Sequence, residues 1–187
     1  AQRALSALRI GWTPAGNAAA NDAAIASALR KSLQASKTGD VYRDVGDVAS
    51  APGSAARRLT AEYEVPYLAH AAMEPLCCSV KYQRDRATVY AGVQIPDVAR
   101  GAAAKALHLD PDRVELKQML LGGSFGRRLE TDFISQAATI AREFPGVLLQ
   151  LQWTREDDMR QDFYRPAAAA RIAGAVNESG RIVSWHA

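Results

Sequence analysis

The chain has 187 residues, a formal net charge of +3, and 48% hydrophobic against 23% charged residues. These values are ordinary for a soluble globular protein, and the length allows one domain or two small ones. Basic residues form no long run and are not interleaved with aromatic residues, so no nucleic-acid partner is indicated. No apolar stretch reaches the ~18 residues that a membrane span needs.

Both ends of the sequence predict a piece of a longer protein. The chain begins Ala1-Gln2-Arg3, without an initiator methionine or a signal-peptide pattern. It ends on an apolar, strand-like run at 182–187 that has no tail.

The cysteines are the neighbours Cys77 and Cys78. Adjacent residues rarely form a disulfide, because the geometry is strained. Two cysteines also exclude a four-thiolate zinc site and an iron–sulfur site within this chain. Consecutive side chains of a strand point to opposite faces, so we expect at least one thiol to be a small buried hydrophobe.

The first 57 residues predict a strand or helix end at 5–12, a loop, a helix and a linker. Asn21 or Asp22 can cap the helix, whose apolar residues recur every four positions and predict one buried stripe. These residues are Ile25, Leu29 and Leu33. The stretch 44–58 is rich in Ala, Gly, Ser and Asp, which is typical of a flexible connection.

The rest of the chain predicts strands that pair locally near both ends and alternate with helices in the middle. Strands are expected over 58–65, 77–82, 87–94, 114–121 and 147–153, with a hairpin formed by 167–176 and 181–185. Helices are expected over 96–107 and 130–144. The first strand alternates and is expected to be half-buried, and the apolar strand 147–153 is expected to be central. The fold class is therefore predicted as α+β with a mixed sheet, divided into 1–57 and 58–187.

The most informative stretch is 120–128, which reads Leu-Leu-Gly-Gly-Ser-Phe-Gly-Arg-Arg. Glycines let the backbone approach a bound group closely, free N–H groups at a helix start bind anions, and arginines add paired donors. The spacing matches neither the dinucleotide motif nor the phosphate loop. Two arginines at a helix start oppose the helix dipole, so we expect an anion or an acidic neighbouring segment beside them.

Two further strings place the glycine stretch in context. Residues 69–75 read Ala-His-Ala-Ala-Met-Glu-Pro, and residues 153–159 read Trp-Thr-Arg-Glu-Asp-Asp-Met. With these three motifs in this order, the chain resembles the molybdopterin-binding large subunit of the xanthine dehydrogenase and aldehyde oxidase family. It looks most similar to the branch of the isoquinoline 1-oxidoreductase β-subunit and the membrane-associated aldehyde dehydrogenases. The resemblance runs from about Leu8 to the end.

The resemblance implies roles for particular residues. A glutamine before the helix of that family bonds an oxygen ligand of molybdenum, and loop amides face the metal and its pterin. The implied cofactor-binding residues are Gln94, Gly122, Gly123, Ser124, Phe125, Gly126 and Arg127. The implied candidates for the substrate pocket are His70, Glu74, Tyr164 and Arg165. A scaffold role is favoured over substrate contact for His70 and Glu74, and Arg165 is equally a surface residue.

The resemblance also implies the reaction, the cofactor and the partners. The whole enzyme would carry molybdopterin and oxidise an aldehyde or N-heteroaromatic with water as oxygen source. Leu129 stands where purine oxidisers carry a glutamate, which argues against a purine. The family's general-base Glu, in a Gly-Val-Gly-Glu-like segment, is absent from this chain, so no catalytic residue and no direct metal ligand are assigned.

We accordingly expect this chain alone to hold no cofactor and to be inactive. Its expected partners are the remainder of the large subunit and an iron–sulfur small subunit or a cytochrome electron acceptor. Members of this branch are often exported, which favours the periplasm over the cytoplasm. Two other functions stay open: a non-catalytic binding or assembly module of the same fold, and a phosphate-ligand-binding protein that uses 122–128. The acidic cluster 156–158 fits a solvated turn or a helix N-terminus better than a carboxylate pair of a hydrolase.

Overall fold

The structure is a computed structural model that describes residues 7–11, 13, 16, 20–35, 39–48, 53 and 55–187. The predicted element at 5–12 and the connection 44–58 lie partly outside these residues. In chain order the elements are α1 (Asp22–Gln34), β1 (Arg57–Val65), β2 (Cys77–Tyr82), β3 (Ala87–Ala91), α2 (Pro96–Leu107), a 3₁₀ turn (Pro111–Arg113), β4 (Val114–Gln118), a second 3₁₀ turn (Arg127–Leu129), α3 (Asp132–Arg142), β5 (Leu148–Gln152), α4 (Arg155–Arg160), β6 (Ala168–Val176) and β7 (Ile182–His186).

The chain forms two compact units, of which one is discontinuous in sequence. The discontinuous unit comprises Ala1–Pro66 and Pro166–Ala187, and the central unit comprises Tyr67–Arg165. The units do not follow the predicted boundary after residue 57, because β1 pairs along its whole length with β6 near the other end of the chain. The α+β class predicted from the sequence is confirmed by the helices and the two open sheets.

The discontinuous unit contains an antiparallel sheet in the order β1-β6-β7. The predicted hairpin between β6 and β7 is confirmed, and Asn177 Oδ1 stabilises its turn by accepting hydrogen bonds from the N–H groups of Ser179 and Arg181. All nine residues of β1 are exposed, so the expectation of a half-buried strand is wrong for this unit. Alternation of side chains along β1 is present in the sequence, but no described part of this unit buries either face of the strand.

Helix α1 begins where the sequence predicts. Asn21 Oδ1 accepts a hydrogen bond of 3.0 Å from Ala24 N, which is the side-chain cap of the helix. The expected buried stripe is only partly buried, and no residue of α1 is fully buried. Arg30 contacts Glu64 of β1 through an exposed ion pair, with Nη2 2.6 Å from Oε2.

The central unit contains a mixed sheet in the order β4-β3-β2-β5, in which β3 and β4 are parallel and the other neighbours antiparallel. Helices α2 and α3 pack against each other and against this sheet. Small side chains of the helices allow the close approach, and the largest fully buried apolar side chains complete the core. They are Leu76, Cys78, Val80, Val89, Leu107, Phe133 and Ile134.

Three details of the central unit differ from the sequence-based expectations. The apolar strand β5 is an edge strand rather than a central one, and its residues alternate between exposed and half-buried. Strand β3 ends at Ala91, so that Gln94 follows it in a bend. The predicted helix over 130–144 is shorter, because a 3₁₀ turn and an extended Glu130 precede α3.

The segment after β5 forms the short helix α4. Thr154 accepts a hydrogen bond from Asp157 N, and the Asp157 carboxylate accepts one from Thr154 N, which is a capping box. The interpretation of the acidic cluster as a helix N-terminus is thereby confirmed. Among the helices in the described ranges, none combines the length and the hydrophobicity that crossing a membrane requires.

Candidate functional site

The glycine loop, residues 122–126, lies at the surface of the central unit. Three of its residues have positive φ angles, namely 97° at Gly123, 56° at Phe125 and 107° at Gly126. Phe125 is 71% exposed, and a non-glycine residue in this conformation is strained. The loop is therefore neither packed shut nor relaxed, which is typical of a segment that is shaped for a bound group.

The backbone donors of the glycine loop divide into used and unused groups. Gly122 N donates to Glu74 Oε2 at 3.0 Å, and Arg127 N donates to the carbonyl of Ser124 at 2.9 Å. Within the part of the chain that the structure describes, the N–H groups of residues 124–126 donate to no protein atom. Successive free N–H groups in a turn with left-handed residues form a concavity that suits an anion. The donor set thus fits an anionic group.

Glu74 holds the start of the glycine loop through two hydrogen bonds with Gly122. In addition to the bond from Gly122 N, Glu74 N donates to the Gly122 carbonyl at 3.0 Å. A Cβ on Gly122 would lie 2.5 Å from Glu74 Cβ, which is closer than real Cβ atoms approach. Only glycine therefore fits at position 122 while Glu74 stays in place.

Arg128 joins this support to the core of the central unit. Its side chain is 1% exposed, and Nη2 lies 2.7 Å from Glu74 Oε2. The guanidinium also donates to three backbone carbonyls, which belong to Gly92 (3.0 Å), Gly123 (3.2 Å) and Glu74 (3.2 Å). One buried side chain thus fixes the glycine loop to the end of β3 and to the segment that contains Glu74.

Arg127 is the second buried arginine of the motif. Its Nη1 and Nη2 donate to the two carboxylate oxygens of Asp132 at 2.9 and 2.8 Å. Its Nε lies 2.9 Å from Asp162 Oδ1 outside hydrogen-bond geometry, so this contact is an ion pair. The guanidinium also lies over the rings of Trp153 and Phe163, at 5.5 and 5.2 Å from their centroids.

These contacts settle what stands beside the two arginines. The sequence predicts an anion or an acidic neighbour, and the structure shows acidic partners, namely Asp132 and Asp162 for Arg127 and Glu74 for Arg128. The Arg127 side chain is 2% exposed and its donors face carboxylates of the same chain. A cofactor contact by Arg127 stays a prediction, and in the structure this side chain is held by Asp132 and Asp162.

His70 lies against the other end of the glycine loop. Its Nδ1 is 3.0 and 3.1 Å from the two Asp162 carboxylate oxygens, and its backbone N–H donates to the same carboxylate. A Cβ on Gly126 would lie 3.3 Å from His70 Nε2. The segment 70–74 therefore contacts both ends of the glycine loop, with His70 against Gly126 and Glu74 against Gly122.

The remaining predicted site residues differ in how they relate to the glycine loop. Gln94 N donates to the Arg128 carbonyl at 3.1 Å, and the residue is exposed, so Gln94 is brought beside the glycine loop. The Tyr164 hydroxyl bonds the carbonyls of Met159 and Arg160 at the end of α4. The backbone of Arg165 pairs with Leu68 in an isolated bridge, and the residue is exposed. Their ligand roles stay predictions.

Sequence reasoning misses Asp132 and Asp162, although Asp132 binds Arg127 and Asp162 contacts both Arg127 and His70. Asp132 follows Arg127 by five residues, so its place at the start of α3 is a local signal. Asp162 lies in the segment after α4, and nothing in its sequence neighbours indicates that its side chain is 2% exposed and contacts residues distant in sequence.

The two thiols are not reactive groups of this site. Burial raises the pKa of Cys78 to about 12, and burial together with the nearby Glu74 carboxylate raises the pKa of Cys77. Both thiols therefore stay protonated at neutral pH. Cys78 is fully buried and Cys77 is half-buried, which confirms the expectation of at least one buried thiol. No group of three or more metal-ligating side chains occurs in the described residues.

The sequence of the chain matches a known protein family. The family model of the molybdopterin cofactor-binding domain matches residues 33–187, which is most of the chain. The chain belongs to the molybdopterin cofactor-binding domain family. The resemblance inferred from the three sequence motifs is thereby confirmed.

Curated relatives of this molybdopterin cofactor-binding domain carry several names. The membrane-bound aldehyde dehydrogenase [pyrroloquinoline-quinone] of Gluconacetobacter polyoxogenes is 33% identical over 97% of this chain and 24% of its own length. The isoquinoline 1-oxidoreductase β-subunit of Brevundimonas diminuta is 33% identical over 80% and 19%. A nicotinate dehydrogenase subunit of Pseudomonas putida is 27% identical over 98% and 15%. The chain thus spans about a quarter or less of the length of these relatives.

Solved structures show the same fold for the domain. Quinoline 2-oxidoreductase from Pseudomonas putida 86 superposes with a TM-score of 0.63 at 15% identity, over 74% of this chain and 18% of that chain. Aldehyde oxidoreductase from Desulfovibrio gigas gives a TM-score of 0.62 at 17% identity, over 73% and 15%. At these identities the similarity concerns the fold.

Proposed function

We propose that this chain is part of a molybdopterin-dependent oxidoreductase that oxidises an aldehyde or an N-heteroaromatic compound with water as the oxygen source. Within that enzyme the glycine loop would hold the cofactor through its backbone. When bound, molybdopterin would supply the redox chemistry of the reaction. The family match and the names of the relatives support the cofactor and the two substrate classes.

The observation that carries the proposal is the row of unused N–H groups at residues 124–126. Backbone donors held in a fixed turn stabilise negative charge without having to reorganise when the ligand arrives. The turn is fixed because Arg128 and Glu74 bind its first half and His70 packs below Gly126. Gln94 lies beside this turn and would add a side-chain amide to the same ligand.

Leu129 and the names of the relatives support the proposal of an aldehyde or N-heteroaromatic rather than a purine as substrate. Leu129 is 43% exposed and apolar, so its side chain offers no hydrogen bond to a purine. The names aldehyde dehydrogenase and isoquinoline 1-oxidoreductase fit an apolar aldehyde or a ring with few polar substituents. Tyr164, Arg165 and His70 are the proposed polar candidates of the substrate pocket.

The remainder of a longer large subunit is the first proposed partner, because the relatives are four or more times as long as this chain. Two relatives are named as subunits, which supports a further subunit. We propose an iron–sulfur small subunit or a cytochrome as the electron acceptor. We propose that the 187-residue chain alone holds no cofactor and is inactive, because the loop offers only one wall of a site.

The proposal is tested by measuring the cofactor content of the purified full-length protein that contains this chain. Mass spectrometry should find about one molybdenum atom per large subunit, and oxidation of the released cofactor should give a fluorescent pterin. The 187-residue chain, purified in parallel, should contain neither and should oxidise no aldehyde or N-heteroaromatic.

Other outcomes of these measurements contradict the proposal in distinct ways. Pyrroloquinoline quinone in place of molybdenum would favour the cofactor that appears in the name of one relative. A full-length protein without either group would favour a binding or assembly module. Stabilisation by nucleotide phosphates in a thermal-shift assay would favour the phosphate-ligand alternative, and turnover by the 187-residue chain would overturn the expectation that it is inactive.

A further inference from the structure

His70 combines burial with an unused ring nitrogen. The side chain is 10% exposed, and Nδ1 is bonded to Asp162. Among the described residues no atom forms a hydrogen bond with Nε2. In the described residues the fully buried side-chain nitrogen and oxygen atoms without a hydrogen bond are the Nε atoms of Arg100 and Arg127, so the unpartnered Nε2 of His70 keeps contact with solvent.

Asp162 determines which ring nitrogen carries the proton. A carboxylate only accepts hydrogen bonds, so the contact with Asp162 assigns the proton of the neutral imidazole to Nδ1. Nε2 then carries the lone pair and is a hydrogen-bond acceptor. Asp162 itself is 2% exposed and held by Arg127, so the ring is fixed in orientation as well as in tautomer.

The position of Nε2 relates it to the glycine loop. The ring packs against Gly126. If position 126 carried a side chain, its Cβ would lie 3.3 Å from Nε2. The N–H groups of residues 124–126 are donors, whereas Nε2 is an acceptor that lies next to Gly126 of the same turn. The two kinds of group together suit a ligand that has both negative charge and an N–H or O–H group.

We propose that His70 Nε2 accepts a hydrogen bond from an N–H or O–H group of the molecule that the glycine loop binds. This inference rests on the proposed function. The donor belongs either to the pterin ring system of the cofactor or to a substrate seated beside it. In both cases Asp162 acts as a positioning residue that holds the acceptor in place.

Two substitutions at position 70 separate a contact through Nε2 from a structural role through Nδ1. His70→Asn places an amide near Nδ1, so it keeps a donor for Asp162 and removes the group at Nε2. His70→Gln places an amide oxygen near Nε2 and weakens the contact with Asp162. If Nε2 contacts the ligand, glutamine is the milder substitution, whereas a purely structural histidine would make asparagine the milder one.

The experiment uses the full-length protein and two readouts. The first is the rate at which molybdenum and pterin are lost during dialysis, and the second is KM for the best aldehyde or N-heteroaromatic substrate. Loss of one hydrogen bond predicts that His70→Asn changes one readout by about tenfold and that His70→Gln changes it much less. A faster loss of cofactor identifies the pterin as the donor, and a raised KM at unchanged molybdenum content identifies the substrate.

The other results overturn the inference. Equal behaviour of both variants, or a milder effect of asparagine than of glutamine, shows that Nε2 makes no such contact while the proposed function stands. A wild-type protein that contains no molybdenum overturns the proposed function, and the inference with it. Thermal unfolding of both variants is recorded alongside, so that a loss of folding is recognised separately from a loss of ligand.

Discussion

Replacing Arg128 with leucine will open the glycine loop. The substitution leaves three carbonyls without their donor and removes the partner of the Glu74 carboxylate. Breaking a buried pair by removing one member costs about 3–5 kcal/mol. We expect a loss of about 3 kcal/mol, at the lower end of that range, because Glu74 is 37% exposed and keeps the bond from Gly122 N.

Hydrogen exchange in the full-length protein measures this effect locally. The amide of Gly122 is bonded to the Glu74 carboxylate, and the amides of Arg127 and Leu129 are bonded to carbonyls of the glycine loop, so they exchange only when the loop opens. A loss of about 3 kcal/mol corresponds to exchange that is roughly 100-fold faster in peptides that cover the loop. Arg113→Leu, at an exposed arginine of the same unit, is the matched control and should leave these rates unchanged. Equal rates in Arg128→Leu and the wild type would contradict the anchoring role.

The second large effect is expected at Arg127. Arg127→Leu leaves two carboxylates without their cation, and Asp162 is 2% exposed. We expect the central unit to lose about 3–5 kcal/mol of stability, since an uncompensated charge remains buried. The expected readout is a lower unfolding temperature of the full-length protein, together with faster exchange in peptides that cover α3.

A second substitution tests the cause of that loss. Asp162→Asn in the Arg127→Leu background removes the uncompensated charge and keeps the shape of the side chain. The double variant should therefore recover part of the lost stability, although Asp162→Asn alone is destabilising, because it breaks an ion pair and the contact with His70. Additive losses in the double variant would show that the two groups are not coupled.

Local sequence signals predicted where the helices and strands begin and end better than they predicted which elements lie next to each other. The bounds of α2 and β2 agree with the sequence, because Pro96 marks the first turn of the helix and a short apolar run marks the strand. The position of β5 at the sheet edge could not be predicted, since an apolar run does not say which strand lies beside it. The exposure of β1 likewise depends on its surroundings and not on its own alternation.

The site shows the same division. The glycines and arginines of the motif stand out in the sequence, and the expectation of an acidic partner followed from their charge. The identity of that partner did not follow, because Asp162 reaches Arg127 and His70 only through the tertiary fold. The burial of both arginine side chains could not be predicted either. An arginine that binds a ligand and an arginine that binds carboxylates of its own chain look the same in the sequence.

The binding of the cofactor by the amides of the glycine loop is tested most directly at a single backbone N–H. Incorporation of phenyllactic acid at position 125 of the full-length protein replaces the amide of Phe125 with an ester, which removes the N–H and keeps the side chain. Phe163, another exposed phenylalanine whose N–H bonds no described residue, receives the same replacement as the control. We expect the protein with the ester at 125 to release molybdenum and pterin about tenfold faster than the wild type, because it lacks one charge-assisted hydrogen bond, and the protein with the ester at 163 to release them at the wild-type rate. Equal retention by both proteins would contradict the claim that the amides of the glycine loop bind the cofactor.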